Sequence, residues 1–99
     1  MSWFSTRRVK VKNDLRRQVQ ERETIARMMP GGAPDRPIKV GAASVVEART
    51  GNLACPQCEG SYRIEDHRSI GPGEREVCVR CRVCGVPRSL WFAIVPTSN

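Results

Sequence analysis

Apolar residues change their spacing several times along this chain, and each change predicts an element. From Asn13 to Met29, Leu15, Val19, Ala26 and Met29 fall near one side of a 3.6-residue repeat, with Ile25 and Met28 extending it. Asn13 or Asp14 can cap the start and Pro30-Gly31-Gly32 ends the run, so the pattern predicts a helix over about 13–29. Its stripe is thin, as in a solvated arm or a helix docked on a partner. Just before it, Arg8-Val9-Lys10-Val11-Lys12 alternates with period two, as in an edge strand or an extended arm, while the plainer reading of residues 2–12 is a disordered basic tail. Ile38-Lys39-Val40 fits a short strand. Ser44-Val45-Val46-Glu47 has capping-box spacing and fits either a short helix stopped by Gly51-Asn52 or an irregular loop. Tyr62–Arg68 and Arg75–Arg80 run out from and back to Gly71-Pro72-Gly73, which reads as a type II turn. Ser89–Val95 is a further strand, apolar on both faces around Leu90, Trp91 and Phe92.

This layout divides the chain into a basic arm at 1–30, a Pro/Gly linker at 31–37 and a segment 38–52 of short strand and short helix. A β unit at 53–96 and a tail at 97–99 follow. With 99 residues, 39% of them hydrophobic, no large core is available, and a module of this size needs a staple.

The cysteines supply one. Cys55-Pro56-Gln57-Cys58 and Cys81-Arg82-Val83-Cys84-Gly85 are two C-x2-C pairs separated by residues 59–80. Each pair can aim two sulfurs at one ion, and two pairs complete a tetrahedral thiolate site. The spacer is longer than usual for this pattern, and the hairpin turn at its middle accounts for the excess. Structural disulfides suit a secreted protein, but Met-Ser-Trp-Phe-Ser-Thr-Arg-Arg has neither an apolar core nor a cleavage pattern, and five cysteines is an odd number. A redox pair would call for a βαβ setting. Nucleophilic cysteine chemistry needs a base, and the one histidine, His67, lies out on the hairpin. Zn2+, one structural ion, is the expected cofactor. Cys78-Val79-Arg80-Cys81 is a competing C-x2-C. Gly85 after Cys84 favours Cys81 and Cys84 as the second pair, with Cys78 on the strand face opposite Val77 and Val79.

These two knuckles with a hairpin between them resemble the zinc-ribbon group over about residues 53–95. The sequence departs from the commonest form in having Glu59 where a glycine often follows the second cysteine, and in carrying Cys78. The resemblance implies a three-stranded antiparallel ribbon, a small metal-stabilised β domain with the basic helical arm attached. It also raises the expectation of nucleic-acid machinery or of a module that only binds protein.

Charge refines the choice. Net charge is +7, and residues 1–30 hold eight Arg/Lys against three acids, whereas residues 51–99 hold six against five. Four thiolates on one Zn2+ would turn the ribbon slightly negative, so attraction to phosphate or an acidic surface belongs to the arm. The expected contacts are Arg7, Arg8, Lys10, Lys12, Arg16 and Arg17, with Trp3 and Phe4 as anchors. The leading expectation is a cytoplasmic binding module, not an enzyme, that meets a protein partner through the apolar face at Leu90, Trp91 and Phe92. The alternative is a DNA- or RNA-binding protein using the arm. No run approaches the ~18 apolar residues of a membrane span. The remaining expectation concerns cover: either Ile38–Val46 or another molecule must lie over the apolar strand.

Overall fold

The computed structural model describes residues 3–95, with side chains from Asn13 onward. The first helix, α1, runs without a break over Trp3–Met28. The period-two stretch at 8–12 is therefore helical and forms no strand or extended arm. Five residues are too few to establish that period, and Arg and Lys are good helix formers with no Gly or Pro among them. Asn13 and Asp14 are accordingly interior rather than capping, and Asp14 takes a hydrogen bond from Arg17 one turn on at 2.8 Å. The side chains of Arg7, Arg8, Lys10 and Lys12, the aromatic anchors and the 97–99 tail lie outside the described residues. Arg16 and Arg17 are exposed.

The helix stops where expected. Arg36 Nη1 donates to the Met28 carbonyl at 3.0 Å, satisfying one group that the last turn leaves open. The 30–37 segment is folded against the sheet rather than a free linker. Gly31 (φ +83°) donates its N–H to Arg36 O at 2.6 Å and accepts from Trp91 N at 3.0 Å. A Cβ at Gly31 would meet Ile38 Cδ1 at 2.7 Å, so both backbone sign and space require glycine.

Four strands follow: β1 (Ile38–Val40), β2 (Tyr62–Gly71), β3 (Glu74–Cys81) and β4 (Pro87–Ile94), with a helix α2 (Ala43–Gly51) between β1 and β2. Their order in the sheet is β1-β4-β3-β2. The expected three-stranded antiparallel ribbon is thus a four-stranded mixed sheet, because β1 adds in parallel to β4, with Ile38 opposite Phe92 and Val40 opposite Ile94. The turn Gly71-Pro72-Gly73-Glu74 joins β2 to β3, and Gly73 takes the positive φ (+70°) that a type II turn needs at its third position. α2 starts from Ala42 with no side-chain cap, so Ser44 lies inside the helix and makes no capping box.

Alternation along the strands puts Val77, Val79, Leu90, Phe92, Ile38 and Val40 into one core with Tyr62 and Val46. α2 covers this face, with Val46 fully buried and Thr50 donating its hydroxyl to Val46 O at 2.8 Å. The chain therefore covers its own apolar strand. Leu90 and Phe92, at 5% and 1% exposure, are core residues and not a partner face. Trp91 points to the opposite face and is only partly buried. One side of the sheet is filled from within.

Candidate metal centre

Both cysteine turns leave the same end of the hairpin: Tyr62, the first residue of β2, pairs with Cys81, the last of β3. The two turns have matching backbones. In the first, Cys55 O accepts from Glu59 N at 2.7 Å and Cys55 N donates to Gly60 O at 2.9 Å. In the second, Cys81 O accepts from Gly85 N at 3.1 Å and Cys81 N donates to Val86 O at 3.0 Å. Glu59 and Gly85 hold the equivalent left-handed position, at φ +64° and +77°. Gly60 serves differently: a Cβ there would lie 2.7 Å from Val83 Cγ2 and 3.0 Å from Cys81 Sγ, so it lets the turns approach.

Cys55, Cys58, Cys81 and Cys84 place their sulfurs within 4.8 Å of one another. Cys55 Sγ lies 3.7 Å from Cys84 Sγ, and Cys58 Sγ lies 3.3 Å from Cys81 Sγ. Four sulfurs each about 2.3 Å from one zinc ion would be about 3.8 Å apart. The spacing and the soft donor set therefore suit one thiophilic ion. Cys55 and Cys81 are buried, while Cys58 and Cys84 face solvent, so the site lies at the surface with its inner half closed.

Backbone N–H groups point at the sulfurs. Gln57 N lies 3.4 Å from Cys55 Sγ, and Val83 N and Cys84 N each lie 3.4 Å from Cys81 Sγ. The Cys84 N–H, helped by Val83 and neighbouring sulfurs against burial, pulls the Cys81 thiol down to about 6. Cys84 goes the other way. The Val86 N–H favours its thiolate, but burial and the sulfurs of Cys58, Cys81 and Cys55 together push it up to about 12. Without an ion, one thiolate is favoured and further ones repel each other. The arrangement calls for positive charge at its centre.

The two alternative ligands lie elsewhere. Cys78 is on the strand face opposite Val77 and Val79, with Sγ 3.6 Å from Arg68 Nη2 and 3.9 Å from Ser89 Oγ. His67 is five residues along β2 from Tyr62, and its Nδ1 is 3.9 Å from Glu47 Oε1.

One part of the centre was not anticipated from sequence. Glu23 of α1 receives two hydrogen bonds from Arg88, at 2.6 and 2.8 Å, and one from Gln57 Nε2 at 2.9 Å. Gln57 Nε2 also donates to Val19 O at 2.9 Å, and Arg22 Nη1 donates to Gln57 O at 3.1 Å. Burial alone would raise the Glu23 carboxyl, but the hydrogen bonds from Arg88 and Gln57 and the Arg88 charge hold it below its ordinary value. Tyr62, beside Arg88 and Cys55, is pushed up to about 12, chiefly by burial. A signal for Arg88 existed: residues 88, 90 and 92 share one strand face, so a lone arginine on the core side demands an acid. Among the described residues, no helix is long and apolar enough to cross a membrane. The chain matches no protein-family model, no curated protein and no solved structure.

Proposed function

We propose that this chain is a structural zinc module that presents its long helix to a macromolecular partner. The observation that carries the reading is the four-sulfur cluster at the base of the hairpin. A site filled by four thiolates has no open position for water or substrate, which argues for a structural ion and against an enzyme. Zinc is favoured because four cysteines with tetrahedral spacing suit it, and its thiolate form belongs to a reducing compartment such as the cytoplasm.

The partner-facing element is α1 rather than the ribbon, whose apolar face, widened by β1, is covered by the chain's own α2. A 26-residue helix is about 39 Å long, and among the described residues its bonds to the ribbon come from Val19, Arg22 and Glu23 in its C-terminal part. The molecule accordingly extends 70 Å along its longest axis and 23 Å across. Leu15 and Val19 are 56% and 46% exposed on that helix, apolar side chains with nothing over them among the described residues. Capture of a protein by the full chain, lost when residues 1–30 are removed with zinc content intact, is the expected result. Equal capture by both proteins would refute the reading.

A second reading, binding to DNA or RNA, draws on the eight basic residues against three acids in residues 1–30. It requires binding that weakens steeply with salt, with a slope near −0.9 per phosphate contacted on duplex DNA.

A further inference from the structure

Among the described residues, five polar bonds join α1 to the ribbon; three end on Gln57 and two on Arg88. The apolar share of this contact is small, since Ala26 is the one buried residue of α1 in that region. What holds the helix is therefore mainly a clamp, and Gln57 is its centre. Gln57 stands between Cys55 and Cys58, with its own N–H aimed at Cys55 Sγ. The stretch 53–61 that carries it belongs to no strand or helix. Its ends are tied by Leu53 N to Thr50 O at 3.2 Å and by Arg82 N to Ser61 O at 2.8 Å, and between them its shape rests on the two Cys55 backbone bonds and on whatever gathers the sulfurs.

We infer that metal occupancy sets whether α1 is docked. With an ion held by the four sulfurs, the first knuckle is rigid and Gln57 grips Val19, Arg22 and Glu23 together. With the ion lost, the knuckle relaxes, three of the five bonds go, and the Arg88 pair, the small Ala26 contact and the Arg36–Met28 bond at its end are left to hold a helix 26 residues long. The freed helix turns about the 30–32 segment, and its turns at 19–26, no longer pinned to the ribbon, open more readily. Residues 3–18, an arm of about 24 Å, then change direction relative to the sheet. The chemistry is that of a zinc-dependent positioning device, with Gln57 as the positioning residue that couples ion to helix.

Coupling of this kind is reciprocal, so helix contacts must also strengthen ion retention. The inference rests on the zinc reading, and metal content measured on every sample separates the failure of one from the failure of the other. The experiment follows amide hydrogen exchange of the full chain with zinc, of zinc-loaded Gln57→Ala, and of the wild type stripped with a chelator. Expected is zinc at one per chain in Gln57→Ala, unchanged protection in β3 and β4, and exchange at residues 19–26 at least tenfold faster. Stripped wild type should exchange as fast at 19–26 while β3 and β4 keep most of their protection; loss of protection throughout β3 and β4 on stripping would mean global unfolding and would overturn the inference. The helix-side variant Arg22→Ala/Glu23→Ala, which leaves the knuckle sequence intact, should lose zinc to a chelator at least threefold more readily. Protection at 19–26 within twofold of wild type in zinc-loaded Gln57→Ala would overturn the inference. So would unchanged zinc retention in the helix-side variant.

Discussion

Glu23 and Arg88, 65 residues apart in the chain, meet side by side through two hydrogen bonds at 2.6 and 2.8 Å. Arg88 is 9% exposed at its side chain and Glu23 25%, so the pair is screened far less than a surface bridge. Glu23→Gln removes the charge and should cost about 1.5–3 kcal/mol, the range for a hydrogen bond to an ionised group. Because the folded carboxyl titrates below its unfolded value of about 4.3, its stabilisation is complete above that pH. It is lost as pH falls through the folded value. Acid also protonates the thiolates, so the informative quantity is the stability difference between wild type and Glu23→Gln. That difference should be constant above pH 5 and shrink toward zero below about pH 4; a difference independent of pH would contradict the pairing.

Adjacent substitutions in the first knuckle should have opposite signs. Glu59 holds φ +64°, a region that costs a side chain roughly 1–2 kcal/mol, so Glu59→Gly should stabilise by about 0.5–1 kcal/mol after the added chain entropy of glycine. Gly60→Ala should destabilise by about 1–3 kcal/mol, because its Cβ would press on Val83 at 2.7 Å. Thermal unfolding of the zinc-loaded variants checks both.

Zinc should be present at one per chain by elemental analysis. Each of Cys55→Ser, Cys58→Ser, Cys81→Ser and Cys84→Ser should abolish tight binding, since each removes one of the four thiolates that close the site. Cys78→Ser should leave zinc content unchanged and alter stability by less than about 1 kcal/mol, as its sulfur makes only long contacts to Arg68 and Ser89. Unfolding of Cys78→Ser with zinc retained by Cys84→Ser would invert the ligand set.

Phe92→Ala should cost about 3–5 kcal/mol, because Phe92 is 1% exposed at the centre of the sheet. Trp91→Ala, one residue away on the half-open face, should cost clearly less. Chemical denaturation of the two zinc-loaded variants gives the comparison directly.

The hairpin was legible because each of its parts is local: two C-x2-C turns, a Gly-Pro-Gly corner and alternation between them. The parallel partner of β4 was not, since three residues, Ile38–Val40, carry no sign of direction or neighbour. The same limit hid the Glu23–Arg88 pair, where a helix acid among arginines looks like any solvated charge until the strand register turns Arg88 inward. The start of α1 was misread for a different reason. A basic stretch with two valines alternates by chance, and continuity with a downstream helix decides its state.

The parallel register between β1 and β4 also constrains the order in which the molecule can assemble. Ile38 cannot find Phe92 until the intervening stretch exists, and at roughly 5–20 residues per second of synthesis that delay is about 3–10 s. During it, β1 and α2 have no sheet to join. The hairpin and its two cysteine turns, all within residues 55–84, are contiguous in sequence and close over short loops. Contact order therefore favours a sequence in which the hairpin closes first, β4 follows, and β1 docks last onto its edge. If the four sulfurs hold zinc as proposed, a shortage of it during synthesis would leave that apolar edge open at the moment the chain is least able to cover it.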